Sequence, residues 1–251
     1  MKVYTHAGLF HADEVTAYTI IKMCYNSTDV SFNRLTDLSD IPSDGIVVDI
    51  GRKYDHTNKL YDHHQDWIPR KNGVPYASAG LIWLHYGKRV ISMFTDIDKT
   101  EDIDAIHERV DRNLIQGIDA HDADNNYSLK AVCGAGEVRV HSLSNIISSF
   151  NSDDVKSETS QYFAFIDAAD LVKSIISKEI KRAIKHLETE KKFDDLHETM
   201  YEDKVIILKE SLPWKEIVHE KYPDALYVIA PSNHPGNPYS MISVPIEPTS
   251  R

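Results

Sequence analysis

Residues 45–49 read Gly-Ile-Val-Val-Asp, an apolar run that ends on a carboxylate. Such a continuous run is typical of a strand that is buried on both faces of a parallel sheet. Strand-like runs at Lys2–Thr5 and Val30–Leu35 come before it, and Glu14–Tyr25 between them has helical spacing, with Asp13 as the expected N-cap. Alternating strands and helices predict an α/β fold with a parallel sheet.

The rest of the chain predicts a second, smaller region after the parallel-sheet domain. We expect a metal-binding catalytic domain over residues 1–125 and a C-terminal helical and α+β domain over residues 126–251. The further elements expected are helices at Ser78–Tyr86 (ended by Gly87), Asp102–Gly117, Gln161–Leu187 and Trp214–Glu220, and strands at Val205–Leu208, Leu226–Ala230 and Tyr239–Pro245.

The composition is that of an ordinary globular protein. Of 251 residues, 41% are hydrophobic and 27% are charged, and no stretch approaches the roughly 20 apolar residues of a membrane span. The first residues lack the apolar core of a signal peptide and there are only two cysteines, so we expect a cytoplasmic protein with reduced thiols and no membrane partner. The net charge of −11 argues against a broad basic surface that coats nucleic acid, but not against a nucleotide or short oligonucleotide.

Histidine and aspartate residues follow several of the predicted strands. The segment Tyr61–Gln65 reads Tyr-Asp-His-His-Gln, while His6, His11 and Asp13 follow the first strand and Asp49 closes the buried one. Ligands in open α/β sheets bind outside the carboxyl ends of the strands, where these residues fall. Imidazole nitrogen and carboxylate oxygen together suit Mn²⁺, Zn²⁺ or Fe²⁺, with Mg²⁺ possible, and this many ligands indicate two ions.

The members of this set differ in the roles that they suit. Asp49 is either a turn or capping residue or a bridge between two ions, and we favour the bridge because each of its oxygens can hold one ion. Asp62, His63 and His64 cannot all serve equally, since successive side chains of an extended segment point to opposite faces. We expect Asp62 to orient an imidazole and one of the two histidines to contact substrate oxygen instead of metal.

A polar segment after the helix Asp102–Gly117 offers one more candidate ligand. Asp119 follows an apolar helical face and is expected to point into the core, where it could complete a metal shell. The nearby His121, Asp122 and Asp124 are expected to face solvent.

Basic residues in the second half are candidates for substrate binding. Arg139 and His141 follow a Gly-x-Gly sequence, and Arg139 could pair bidentately with phosphate, although a surface arginine is an equal alternative. A basic stripe at helical spacing could follow a phosphate backbone, but glutamates lie nearby and a solvated helix face is the favoured interpretation. The stripe consists of Lys178, Lys181, Arg182 and Lys185.

Several motifs occur along the chain in a recognisable order. They are Thr5-His6-Ala-Gly-Leu-Phe-His11-Ala-Asp13-Glu14, Val47-Val-Asp49-Ile-Gly51, Tyr54-Asp55, Tyr61-Asp62-His63-His64-Gln65, Ser78-Ala-Gly80-Leu81, Arg139-Val-x-x-Leu143 and Ser211-Leu-Pro-Trp214-Lys-Glu216. Together they resemble the Myg1 family (UPF0160) of the DHH phosphoesterase superfamily. The resemblance covers most of the chain and is densest over residues 4–86.

The resemblance implies a DHH-type two-metal phosphodiesterase fold and, for Myg1 relatives, 3′–5′ exonuclease activity on RNA. By similarity, His64 would face the phosphate and Asp62 would support the Asp-His-His triplet. The implied metal ligands are His6, His11 and Asp49 for one ion, and Asp13, Asp49, His63 and Asp119 for the other.

We therefore interpret the chain as a phosphodiesterase that uses two divalent ions, with Mn²⁺ favoured, and acts as a 3′–5′ exonuclease on single-stranded RNA or short oligonucleotides. Members of the family continue past the Pro245–Pro248 region into a late glycine-rich motif, whereas this sequence ends at Arg251, which favours short substrates. A small-molecule nucleotide or pyrophosphate phosphohydrolase is the alternative. A non-catalytic, metal-stabilised binding protein is a third interpretation, and the intact ligand set argues against it. Oligomeric state is left open.

Overall fold

The computed structural model describes residues 1–25, 29–37, 39, 41–65, 68–124, 130–133, 136–232 and 236–246, without the side chains of residues 130–133, 137 and 139. The fold is mixed α/β, as expected, and the chain divides into two compact units, Met1–Lys181 and Arg182–Arg251. This division by compactness lies further along the chain than the functional boundary expected after residue 125, and that boundary stays a prediction.

The first unit combines a five-stranded sheet, a small hairpin and several helices. Its strands are β1 (Lys2–His6), β2 (Ser31–Leu35), β3 (Ile46–Val48), β4 (Tyr54–Asp55), β5 (Leu60–Tyr61) and the hairpin β6 (Lys130–Cys133) and β7 (Gly136–Arg139). Its helices are α1 (Ala12–Cys24), α2 (Ser78–Ile91), α3 (Thr100–Val110), a π-helical turn (Asp111–Ile115), α4 (Gln116–Ala123), α5 (Leu143–Ser148) and the first part of α6 (Glu158–Leu196).

The order of the five strands is β2-β1-β3-β5-β4. The pairs β1–β2, β1–β3 and β3–β5 are parallel, which confirms the expected parallel sheet, and β4 pairs antiparallel with β5 at the edge. From β1 the chain first adds β2 on one side and then β3 on the other. The gap between the ends of β1 and β3 is therefore a topological switch point, the place where open α/β sheets bind ligands.

Strand β3 and helix α1 form as predicted from their apolar sequences, and both are almost completely buried. All three residues of β3 are fully buried, and of the thirteen residues of α1 only Lys22 is not buried. An aromatic cluster packs beside α1, where the ring of Phe32 lies 4.2 Å from that of Phe165 and 4.5 Å from that of Tyr18. This cluster ties β2 and α1 to the first part of α6.

The start of α1 differs from the expectation. The helix begins at Ala12, so His11 is the N-cap and Asp13 lies inside the first turn. The carboxylate of Glu14 accepts a hydrogen bond from the backbone N–H of His11 at 2.7 Å, which satisfies a donor that the helix itself leaves unpaired. Asp13 is thereby free to point away from its own helix.

Helix α2 continues through Gly87 to Ile91, whereas the sequence predicts that Gly87 ends it. A Cβ at this position would lie 2.7 Å from the Trp83 side chain and 2.8 Å from the His107 side chain. Glycine here permits close contact between α2 and α3, and this packing outweighs its low helix propensity.

The second unit also combines helices with a sheet. It contains the end of α6, β8 (His197–Met200), β9 (Val205–Leu208), α7 (Lys215–Lys221), β10 (Tyr227–Pro231) and β11 (Tyr239–Ser243), with strand order β11-β10-β9-β8. Its core includes Phe193, Ile206, Trp214 and Val228. No helix in the described ranges of either unit is both long and apolar enough to cross a membrane.

Candidate metal centre

The candidate functional residues converge at the edge of the sheet where β1, β3 and β5 end. A cavity of about 410 Å³ lies at this edge, and α4 and α5 contribute to its lining. Its polar lining includes His6, His11, Asp49, His64 and Asp122. The topological switch point thus brings together side chains that are far apart in sequence.

The imidazole of His6 is oriented by its own loop. Its Nδ1–H donates to the carbonyl of Ala7 at 2.9 Å, which leaves Nε2 facing two carboxylates. This Nε2 lies 3.1 Å from Glu14 Oε1 and 3.4 Å from Asp49 Oδ2. Together with His11, these residues form a group whose donor atoms all lie within 4.8 Å of one another. Metal-binding histidines commonly have this tethered second nitrogen.

The loop between β1 and α1 carries both of these histidines and is fixed by contacts far along the chain. The buried Phe10 exchanges two backbone hydrogen bonds with the side chain of Asn151, at 2.9 and 2.8 Å. The guanidinium of Arg34 donates to the carbonyl of Gly8. The loop is therefore held at Gly8 and at Phe10, its apolar anchor.

Asp49 joins the donor groups. Its φ is +58°, a left-handed conformation that is uncommon outside glycine and is often found at functional sites when the residue is buried. Its Oδ2 faces His6, and its Oδ1 lies 3.6 Å from both His63 Nε2 and His64 Nδ1. Asp49 belongs to all three groups of potential ligands found in the described part of the chain.

His63 is central to the second four-residue group. Its Nε2 lies 3.0 Å from Asp122 Oδ2, 3.6 Å from Asp49 Oδ1 and 4.0 Å from Asp13 Oδ2. The expectation that Asp122 faces solvent is wrong, because its side chain is only 20% exposed and contacts His63. A helical turn in α4 therefore supplies a carboxylate that sequence periodicity did not assign to the site.

Asp13 is held by the N-terminus of α2. Its two oxygens accept hydrogen bonds from the backbone N–H groups of Ser78, at 3.0 Å, and Ala79, at 2.6 Å. The positive end of the helix dipole stabilises a buried carboxylate in this position. The same contact fixes α1 against α2 beside the cavity.

Asp119 lies outside the three donor groups of the described residues. It is fully buried, as expected, but its oxygens are bound by the protein itself. Arg70 Nη2 donates to Oδ2 at 2.6 Å, and the backbone N–H of Gly80 donates to Oδ1 at 2.9 Å. Asp122, one helical turn further along, stands in the second donor group where the resemblance implies Asp119.

Asp62 orients His64. The Oδ1 of Asp62 accepts from the backbone N–H of His64 at 2.9 Å and from its Nδ1–H at 2.7 Å, while Oδ2 accepts from the backbone N–H of Arg52 at 2.7 Å. The carboxylate is buried, whereas the His64 side chain is 51% exposed and lines the cavity. This geometry fixes Nδ1–H on Asp62 and leaves Nε2 available to a ligand.

The close packing of acids and imidazoles changes their ionisation. Burial disfavours a charged His6, but interactions with Asp49 and Glu14 outweigh it and raise the pKa of His6 to about 11. The pKa of His63 is likewise raised to about 11, because interactions with Asp122 and Asp49 outweigh burial. Burial also opposes the charge of Asp49, yet its interactions with both imidazoles lower its pKa to about 2.

For the remaining acids of the cluster, the nearby positive charge is too small to offset their burial. Burial and the nearby charges of Asp122 and Asp49 raise the pKa of Asp13, and burial raises the pKa of Glu14. Glu14 Oε2, Asp49 Oδ1 and His63 Nε2 are buried and make no well-formed hydrogen bond within the described residues. Buried like charges with unused donor atoms fit divalent cations, which would neutralise the acids and displace the imidazole protons.

The sequence of this chain is similar to that of a known family. It matches, over residues 2–251, the MYG1 family described as "Uncharacterised protein family (UPF0160)". The chain belongs to this family. The resemblance inferred from the motifs is thus confirmed.

Relatives within the MYG1 family include fungal and animal proteins. A MYG1 protein of Schizosaccharomyces pombe is 28% identical over 230 residues, which cover 86% of this chain and 69% of that protein. A MYG1 protein of Saccharomyces cerevisiae is 25% identical over 238 residues, covering 87% and 69%. The human relative, named MYG1 exonuclease, is 29% identical over 131 residues, which are 48% of this chain and 35% of that protein. No solved structure is significantly similar.

Among the described side chains of this MYG1 member, the candidate substrate-binding residues lie outside the donor groups. His141 is exposed, and Lys181 and Arg182 are exposed on α6. The side chain of Arg139 lies outside the described part of the structure. Roles for these four residues in substrate binding stay predictions.

Glu14 is a further candidate ligand, which the sequence pattern did not indicate. It follows Asp13 directly, so it looks like an ordinary acid of a first helical turn. The available signal was its place three residues after His11, where an acidic side chain can reach back to the N-cap and beyond it to His6.

We expect Mn²⁺ binding to release protons from the metal-free protein. His6 and His63 carry protons at neutral pH because their pKa values are raised to about 11, and imidazole must lose its proton to bind a metal. The release should be on the order of two protons per chain at pH 7, measured by calorimetry in buffers of different ionisation enthalpy. His6→Ala should reduce it by about one, whereas His56→Ala, outside the donor groups, should not. Uptake of two ions without proton release would contradict the prediction.

The same pKa shifts determine how the metal-free protein responds to pH. A histidine with a raised pKa stabilises the fold fully below its ordinary value of 6.5, and this contribution is lost as pH rises through about 11. The metal-free protein should therefore lose stability between these values, whereas the Mn²⁺-loaded protein should not follow this decline. Thermal unfolding at several pH values, with and without Mn²⁺, measures the difference.

Proposed function

We propose that this chain is a two-metal-dependent phosphodiesterase that removes nucleotides from the 3′ end of single-stranded RNA or short oligonucleotides. Membership of the MYG1 family and the printed name of the human relative, MYG1 exonuclease, support a nuclease. The observation that carries the proposal is the position of Asp49, whose carboxylate is common to all three donor groups of the described residues. A shared carboxylate is the usual feature of paired-metal sites that cleave phosphodiesters.

The donor groups suggest which side chains hold each ion. We assign Asp122 to the second ion in place of Asp119, because its carboxylate contacts His63. Two bound ions would supply Lewis-acid polarisation of the phosphodiester and activation of water. The proposed ligands are His6, His11 and Asp49 for the first ion, with Glu14 beside it, and Asp13, Asp49, His63 and Asp122 for the second.

The protein's own contribution to the reaction is positioning and charge. His64 lines the cavity with Nδ1–H bound to Asp62, so its Nε2 is the atom available to a phosphoryl oxygen. The interaction with Asp62 raises the pKa of His64, which favours the protonated imidazole that donates to such an oxygen. Asp62 is a positioning residue in this arrangement because the described contacts keep both of its oxygens on the protein.

The shape of the site favours a chain end over a duplex. The cavity of about 410 Å³ is of a size that holds a small ligand, and a single-stranded end can enter it one nucleotide at a time. The net charge of −11 also disfavours the extended backbone contacts on which duplex binding depends.

A polarity assay tests the proposal directly. The protein is purified with Mn²⁺ and incubated with 5′-labelled single-stranded RNA, the same RNA blocked at its 3′ end, and duplex DNA. The expected result is a ladder shortened from the 3′ end on the free RNA alone. Equal degradation of the 3′-blocked RNA, or no cleavage by a protein that holds two ions, would refute the proposed activity.

A second candidate is a phosphohydrolase for a nucleotide or pyrophosphate. The cavity of about 410 Å³ and the net charge of −11, which disfavour a duplex, also suit a substrate of this size. Dinucleotides, nucleoside diphosphates and pyrophosphate belong in the same assay. Rapid turnover of these compounds with an untouched RNA ladder would select the second candidate.

The basic stripe provides a prediction about substrate length. Lys181 and Arg182 are exposed on α6, and changing both to Glu reverses the local charge. If they contact a phosphate backbone, kcat/KM for an oligonucleotide should fall about tenfold, roughly 1.4 kcal/mol, while a chromogenic phosphodiester is unaffected. Lys191 and Lys192, further along the same helix, serve as the matched charge-reversal control. An equal change in kcat/KM for both substrates would show that the basic stripe is a solvated helix face that does not contact the oligonucleotide.

A further inference from the structure

A buried network behind the candidate site connects α4 to the rest of the unit. Arg70 is only 8% exposed and binds Asp111 with two parallel contacts, Nε to Oδ2 at 2.8 Å and Nη2 to Oδ1 at 2.7 Å. The same Nη2 donates to Asp119 Oδ2 at 2.6 Å, and Nη1 donates to the carbonyl of Pro75 at 2.7 Å. The guanidinium also lies 3.9 Å from the centre of the Tyr76 ring. Its position is therefore determined on every side.

The opposite side of Asp119 is constrained by the backbone of α2. A Cβ at Gly80 would lie 1.8 Å from Asp119 Oδ2 and 2.7 Å from Arg70 Nη2. Only glycine leaves room for the carboxylate to reach the N-terminal end of α2. Asp119 thus anchors α4 to both Arg70 and α2.

The two acids that Arg70 joins lie on either side of a π-helical turn. The backbone N–H of Gln116 donates to the carbonyl of Asp111, five residues earlier, so this turn contains one residue more than an α-helical turn. One extra residue rotates the helix that follows by about 100°. The buried face accordingly shifts by one position after Val110, and Leu114 and Gly117 leave it. The buried residues along this face are Ile103, Ile106, His107, Val110, Ile115, Ile118 and Asp119.

The rotation of α4 decides where the side chain of Asp122 points. Asp122 lies three residues after Asp119 and therefore on the same side of α4. Its Oδ2 lies 3.0 Å from His63 Nε2, inside the second donor group.

We infer that Arg70 is a positioning residue which, with Asp119 and the π-helical turn, sets the rotation of α4 and brings Asp122 into the second donor group. The inference rests on the proposed function, because it assumes that this group holds a metal ion. It assigns Asp119 to anchoring, not to metal binding.

Mn²⁺ titration of matched variants tests the inference. Arg70→Lys keeps the charge but cannot fork to Asp111 and Asp119, Asp111→Asn weakens the fork more mildly, and Asp122→Asn removes the proposed ligand. Arg89→Lys is the control, since Arg89 also lies on an aromatic ring, that of Tyr25, at 4.9 Å. Calorimetry and electron paramagnetic resonance give the affinity of each ion, and thermal unfolding without metal reports the fold.

The expected result is selective for one ion. Arg70→Lys should weaken the second ion about 10- to 100-fold, as for residues that orient a ligand, while the first ion binds as in the wild type. Asp122→Asn should weaken the same ion at least as much, and the Arg70→Lys/Asp122→Asn double variant should show little additional loss, because both changes act through one ligand.

The outcome of the titration separates failure of the positioning role from failure of the proposed function. Unchanged affinity for both ions in folded Arg70→Lys, or an equal loss at both, would overturn the positioning role. If Arg70→Lys does not fold, Asp111→Asn decides by the same criterion. A folded wild-type protein that binds no Mn²⁺ would instead overturn the proposed function.

Discussion

Replacing Asp49 with Asn should abolish turnover and weaken both metal ions together. The two oxygens of Asp49 face different donor groups, with Oδ2 toward His6 and Oδ1 toward His63 and His64. An amide keeps the shape and tolerates the left-handed backbone at φ +58°, but it lacks the charge that both ions require. We expect kcat to fall by roughly three orders of magnitude or more, beyond the 10- to 100-fold typical of residues that only orient a ligand.

Asp44→Asn is the matched control for this variant. Asp44 precedes the same strand, β3, at its opposite end, where its carboxylate is exposed and pairs with Lys2 at 2.6 Å. The control should keep wild-type activity and metal content. Elemental analysis and steady-state kinetics of both variants decide the outcome. Retention of two tightly bound ions by folded Asp49→Asn would remove the shared-ligand role on which the proposed function depends.

His64→Ala should separate turnover from metal content. The side chain is half exposed in the cavity, and Asp62 binds its Nδ1–H, so its proposed contact is a phosphoryl oxygen and not an ion. We expect kcat to fall on the order of 10²- to 10³-fold while both ions remain bound. Loss of metal equal to that in Asp49→Asn would contradict this division of roles, since His64 also belongs to one of the donor groups.

Asp62→Asn tests how His64 is positioned. The amide disturbs the contact with the imidazole, so activity should fall by a smaller factor than in His64→Ala. If Asp62 acts through His64, the double variant should be no less active than His64→Ala alone. The pH dependence of kcat should also move to lower pH in Asp62→Asn, because the interaction with Asp62 raises the pKa of His64.

Features carried by short, uninterrupted patterns could be predicted from the sequence. The run at 46–48 forms the buried parallel strand because no polar side chain limits its burial, and Asp49 follows directly at the carboxyl end. His6 ends β1 and the Asp-His-His triplet follows β5, and both strands pair in parallel with β3, so the parallel sheet alone brings these residues to one edge. These placements depend only on strand identity and direction.

The contribution of α4 was decided by tertiary structure. Asp119 and Asp122 are both acids of one short helix, and helical periodicity favours Asp119 as the inward residue. It is inward, but Arg70 and Gly80 bind its oxygens, and the carboxylate that reaches His63 belongs to Asp122. Neither partner of Asp119 is close to it in sequence, so no local pattern could identify them.

The sequence by itself determined the parallel sheet, the strand ends and the candidate ligands on them, because alternation of apolar runs and polar ends is a local property. Only the tertiary structure decided which acid of α4 reaches the site and where Glu14 points. The first choice depends on the rotation of α4, which the additional residue of the π-helical turn changes by about 100°. Both choices depend on buried charged groups whose partners lie elsewhere in the fold.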